Sequence, residues 1–129
     1  MNKVFYNKLV RDGIKAKIES KGEACEVREI ADDAEFQQEL LKKVTEEASA
    51  LAQVRTRAEF LDEYADLMVV LDALTSLLEV SEADIQVAMS ENVNRKGLYK
   101  KRHFLHWSDA TRPDGTQYKS NETPQGINN

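Results

Sequence analysis

The chain has little of what would staple, thread or anchor a fold. Cys25 is the one cysteine among 129 residues, so no intrachain disulfide forms and the disulfide-rich secreted class is excluded. The five glycines, Gly13, Gly22, Gly97, Gly115 and Gly126, stand apart from one another, so no glycine-rich phosphate loop is present. The apolar run that begins at Leu67 is far too short to span a bilayer. The opening MNKVFYNKLVRDGIKAK scatters charge where a secretion signal would hold an apolar core. From these absences we expect a cytoplasmic location and no membrane partner. Positive charge is also in deficit: 18 Lys and Arg against 23 Asp and Glu leave a net charge of −5, which argues against nonspecific nucleic-acid binding. Between Arg57 and Arg95 there is no lysine or arginine at all.

What is present is helical periodicity. With 41% hydrophobic residues, a chain of this length suits one compact domain. Residues 12–21 are expected to form a helix capped by Asp12, with Ile14 and Ile18 on one face and Gly22 as its stop. The stretch ACEVREI, residues 24–30, reads as a brief strand or an extended arm. Asp32 and Glu35 make a capping box for a second helix running to about Val54, with Phe36, Leu40, Leu41, Val44, Ala48 and Leu51 as its apolar stripe. Thr56 and Glu59 repeat the box for a third helix, so apolar between Leu67 and Leu78 that burial by several neighbours is expected. Ser81 and Asp84 open a fourth, ending before Gly97.

After Trp107 the composition changes. Residues 108–129 contain both prolines and many small polar residues, so we assign residues 1–107 to a single all-α domain and expect an irregular tail beyond it. Residues 97–107, GLYKKRHFLHW, interleave aromatic and basic side chains and are expected to fold back over the bundle or a partner subunit. His103 and His106 lack a clear third ligand nearby and make a poor zinc pattern.

The third helix also carries carboxylates at the border of its most apolar stretch. Glu63 and Asp66, three apart, share a face, and no basic residue on that helix stands close enough to neutralise them. If the second and third helices pack antiparallel across the short turn at residues 53–57, Glu47 reaches the same height as this pair. Convergent carboxylates without a cation are what a hard divalent ion such as Mg²⁺ requires. Taken alone, Glu46, Glu59 and Asp62 read as solvated surface groups, and Asp72 as structural.

The pair Glu46 and Glu47, followed by EYAD from Glu63 to Asp66, resembles the MazG-like all-α nucleotide pyrophosphohydrolases. The opening YNKLVRDGI, residues 6–14, is similar to the start of a branch labelled phosphoribosyl-ATP pyrophosphohydrolase-like, and NRKGLYKKRHFL, residues 94–105, looks like a diverged form of that family's basic ending. The resemblance implies a helical bundle completed by oligomerisation as a homodimer or homotetramer. It also implies Mg²⁺-dependent cleavage, with Mn²⁺ as a substitute, of a nucleoside triphosphate between its α and β phosphates. Carried over residue by residue, it makes Glu46, Glu47, Glu63 and Asp66 catalytic, with Glu47, Glu63 and Asp66 on the metal. The family's further glutamate falls at Ala50, which binds no metal, and Val69 stands where the branch often has another acid. These departures define the rival reading, a noncatalytic nucleotide-binding or regulatory protein on the same scaffold. A helical adaptor is the third. Lys8 and Arg11, one turn apart if helical, and the later group Arg95, Lys96, Lys100 and Lys101 are the candidates for holding phosphate.

Overall fold

The computed structural model describes residues 2–109 and 111–117, and it is all-α: no β-strand occurs among the described residues. Four helices follow one another as α1 (Ile14–Ser20), α2 (Asp33–Leu51), α3 (Arg57–Leu77) and α4 (Glu82–Lys96). The chain divides into two compact units, Met1–Met89 and Ser90–Asn129, and the division falls within α4. No helix is long and apolar enough to cross a membrane among the described residues.

The helix starts follow their capping residues. Asp32 accepts from the Glu35 backbone N–H at 3.0 Å and Thr56 from that of Glu59 at 3.1 Å, each satisfying a donor that the first turn leaves unpaired. At α4 the box is reciprocal, Ser81 Oγ accepting from the Asp84 N–H and Asp84 Oδ2 from the Ser81 N–H. In the first two cases the glutamate goes elsewhere. Glu35 takes the guanidinium of Arg28, and Glu59 accepts from the Arg55 N–H at 2.9 Å, one residue before the cap.

Two helix bounds are corrected here, and one open alternative is decided. The first helix starts at Ile14 after Gly13, not at residue 12, and no side chain caps it, so Asp12 lies outside. Of the two readings of residues 24–30 the strand is not formed; the segment has no regular secondary structure and is tied to α2 through the Arg28–Glu35 pair. Leu51 ends α2 three residues early, since the chain turns at Ala52 and Gln53. Gly22 and Gly97 do end their helices as expected, at φ 78° and 77°, a left-handed conformation that costs glycine nothing.

The first unit is organised by the antiparallel α2–α3 hairpin. Leu40, Val70 and Leu74, at 3%, 6% and 8% exposure, form its buried core, and Leu9, Phe36, Val44, Ala73 and Leu77 pack around them. Each such burial contributes about 1.5–3 kcal/mol. The expected burial of α3 by several neighbours is not reached among the described residues. Phe60, Leu61 and Tyr64 remain 44–50% exposed, and Met68, Val69 and Leu78 are exposed as well. The Phe60 and Tyr64 rings stack on each other at 5.8 Å on that open surface.

In the second unit, α4 gives way at Gly97 to a turn with Arg102 at φ 53° and a mostly exposed aromatic segment in which Phe104 and His106 meet edge to face at 5.2 Å. The expected irregular tail is locally ordered at its start. Thr111 and Gln117 bridge, and Asp114 Oδ1 accepts from both the N–H and hydroxyl of Thr116. The rest of that tail, residues 118–129, lies outside the described residues.

Candidate metal centre

The hairpin places its acids by simple register. Glu47 follows Leu40 by seven residues on α2, and Glu63 precedes Val70 by seven on α3, two turns in each case, so these acids continue the inner seam of the hairpin toward its connection. The seam is apolar away from the turn and acidic near it. Asp66, one turn beyond Glu63, joins them: one carboxylate oxygen from each of Glu47, Glu63 and Asp66 lies within 4.8 Å of the others, and all three residues are half-buried.

Glu47 feels both its burial and its acidic neighbours. Burial raises its pKa above the usual carboxylate range, and the Asp66 charge adds to that, with Glu46 and Glu63 contributing against the opposing effect of Lys43. A divalent cation would relieve the crowding that raises the Glu47 pKa. The donors are hard oxygens, as Mg²⁺ and Mn²⁺ prefer. Glu47, Glu63 and Asp66 would hold the ion, each offering one oxygen within 4.8 Å of the others. The residues fit the ion.

Glu46 points to a different set of partners. Its carboxylate is held by Lys43 Nζ at 3.1 Å and Lys8 Nζ at 3.3 Å, and these hydrogen bonds, Lys43's foremost, lower its pKa. It stands beside the triad without belonging to it. Asp66 is not without a cation either: Arg11 Nη1 lies 3.6 Å from Asp66 Oδ1. The sequence placed no basic neighbour near Asp66 on its own helix, and the structure supplies one from the N-terminal segment. Lys8 and Arg11 are not on a helix, as residues 2–11 adopt none. They flank Leu9, whose side chain packs against the hairpin core.

The remaining expected phosphate ligands belong to the second unit. Arg95 and Lys96 lie in the last turn of α4, and Lys100 and Lys101 in the turn that follows Gly97. Asp62 and Asp72 are exposed, Glu59 is engaged in capping, and Ala50 lies one turn beyond Glu47 on the same helix. His103 and His106 enter no metal-holding group among the described residues. Two contributors went unforeseen, Lys43 and Leu9. Lys43 sits three residues before Glu46 on a helix, a spacing that favours pairing.

Comparison with protein-family models, with curated proteins and with solved structures returns no match.

Proposed function

We propose that the chain is a MazG-like nucleotide pyrophosphohydrolase that cleaves a nucleoside triphosphate, or a related nucleotide, to monophosphate and pyrophosphate. The observation that carries this reading is the convergence of Glu47, Glu63 and Asp66, drawn from two helices to within 4.8 Å. Bound there, Mg²⁺ or Mn²⁺ would neutralise phosphate charge and lower the pKa of a bound water. The chain's own residues divide the other tasks. Glu47, Glu63 and Asp66 would hold the ion, while Glu46, held by Lys43 and Lys8 beside them, orients the site from its edge. Lys8 and Arg11 supply charge for phosphate oxygens, and Arg95, Lys96, Lys100 and Lys101 form the second basic group of this reading.

Self-association as a homodimer or homotetramer belongs to the same proposal. Among the described residues only three hydrophobic side chains are buried, a small core for this length, and the exposed row Phe60, Leu61, Tyr64 and Met68 on α3 is the surface that a second copy would cover.

A panel of canonical and modified NTPs and dNTPs plus phosphoribosyl-ATP, with Mg²⁺ or Mn²⁺ and phosphorus NMR detection, tests the activity. Pyrophosphate must appear as the first product, without orthophosphate, and must vanish in Glu63→Gln. The rival, a noncatalytic nucleotide-binding protein, is favoured by Ala50, which removes one carboxylate from the acidic face of α2. Nucleotide binding without turnover across the panel would select it.

A further inference from the structure

We infer that the N-terminal segment Lys8–Arg11 is a cationic clasp whose Arg11 has two successive partners: Asp66 while the acidic seam is empty, and a phosphate group once a divalent cation has taken Asp66. The inference rests on the reading of Glu47, Glu63 and Asp66 as a cation site, and it assigns to one arginine both the protection of that site and the capture of its ligand.

Three observations carry it. The segment is anchored by its middle, because Leu9 packs against the Leu40–Val70–Leu74 core while the residues on either side turn their charges to the acids. The two cations do not do the same thing. Lys8 goes to Glu46, outside the triad, and shares it with Lys43; Arg11 goes to Asp66, inside the triad. The Arg11–Asp66 contact is also loose, at 3.6 Å with the side chains 57% and 40% exposed, so it is readily exchanged.

The charge balance then sets the order of events. Four carboxylates, Glu46, Glu47, Glu63 and Asp66, face three cations, Lys8, Arg11 and Lys43, so these side chains together carry a net charge of −1. A divalent cation brings two further positive charges and needs the Asp66 oxygen. Arg11 is the cation that competes for that carboxylate. Because Leu9 holds the backbone, the freed guanidinium stays beside the metal, presenting a planar fork of donors suited to two phosphate oxygens.

This arrangement predicts opposite signs for one substitution in two measurements. In calorimetry on the full chain, Arg11→Gln should bind Mn²⁺ about two- to fivefold more tightly than wild type, the scale of one exposed ion pair. At saturating Mg²⁺ the same variant should bind inorganic pyrophosphate several-fold more weakly. Lys8→Gln removes the same charge from Glu46 rather than Asp66, so its gain in Mn²⁺ affinity should be smaller. Arg11→Lys keeps the charge without the fork and should still weaken pyrophosphate binding. Equal gains from Arg11→Gln and Lys8→Gln would overturn the exchange in favour of general charge, and parallel losses of both ligands in Arg11→Gln would reduce Arg11 to a structural tie. Unchanged affinities in Arg11→Gln, with wild type binding Mn²⁺, would overturn the clasp alone. Absence of Mn²⁺ binding in the wild type would overturn both the clasp and the metal site on which it rests.

Discussion

Glu47 stands two helical turns from Leu40 on the same face of α2, so the position that would extend the hydrophobic core toward the connection is held by a carboxylate instead. An acid at a seam position works against folding of the empty protein. Its raised pKa fixes the sign: in the folded chain Glu47 binds its proton more tightly than in the unfolded chain, so the stability its protonated form contributes is present below the unfolded value, in the ordinary glutamate range, and is lost as pH rises through the folded one.

Glu47→Gln should therefore melt higher than wild type at neutral pH without divalent ions, by roughly 1–3 °C, a small shift because the group is only half-buried. The advantage should disappear as pH falls below the ordinary glutamate range, where wild-type Glu47 is protonated too. Mg²⁺ should reverse the order at neutral pH by stabilising the wild type alone. Calorimetric melts at two pH values, with Mg²⁺ and with chelator, check all three outcomes.

Asp66→Asn should abolish the specific Mg²⁺ or Mn²⁺ site, lowering affinity at least tenfold, because the triad loses the charge that α3 contributes farthest along the seam. Isothermal titration of the variant beside wild type reads the loss directly. Identical titrations would return the three acids to ordinary surface chemistry.

Ala50→Glu adds a carboxylate one turn beyond Glu47 on α2. It should raise Mg²⁺ affinity by about tenfold and, if turnover of the natural chain is low, increase pyrophosphate release. Both follow from the same titration and phosphorus NMR assays, and an unchanged affinity would show that residue 50 does not face the site.

What was legible in the sequence and what was not divides along distance in the chain. The capping pairs Asp32/Glu35, Thr56/Glu59 and Ser81/Asp84 sit at the helix starts, since a cap involves only the residues within one turn. The meeting of Glu47 with Glu63 and Asp66 was also readable, because a short connection between two long helices leaves antiparallel packing as the simple outcome. The Arg11–Asp66 pair was not. Inspecting the cation-free stretch between Arg57 and Arg95 finds only neighbours on the same helix, and nothing in its periodicity shows that Leu9 would dock the N-terminal segment against the core. Asp12 failed as a cap for a related reason: a capping residue signals a helix start only where the backbone after it is helical, and here that begins beyond Gly13. The apolar character of α3 was legible as composition, but what covers it was not, for hydrophobicity does not specify the neighbour, and Phe60, Leu61 and Tyr64 stay exposed among the described residues.

Leu40→Ala should cost about 2–5 kcal/mol, a large share of the stability of so small a core. Chemical denaturation should show an earlier midpoint with an unchanged slope. A fall in the slope would mean instead that the folded variant has already loosened.

The spacing of the clasp along the chain also sets an order of assembly. Glu47 and Glu63 are joined through a short connection, so the hairpin closes over a brief loop and can form early. Leu9 and Arg11 must then return across more than fifty residues to reach Val70 and Asp66, a contact with a higher closure entropy. The N-terminal segment is thus the last part of the site to arrive and, by the same reasoning, the first to leave. Hydrogen exchange should find the amides of residues 8–11 opening without the hairpin, which makes the fully acidic, unclasped seam a minor state already present in the native ensemble.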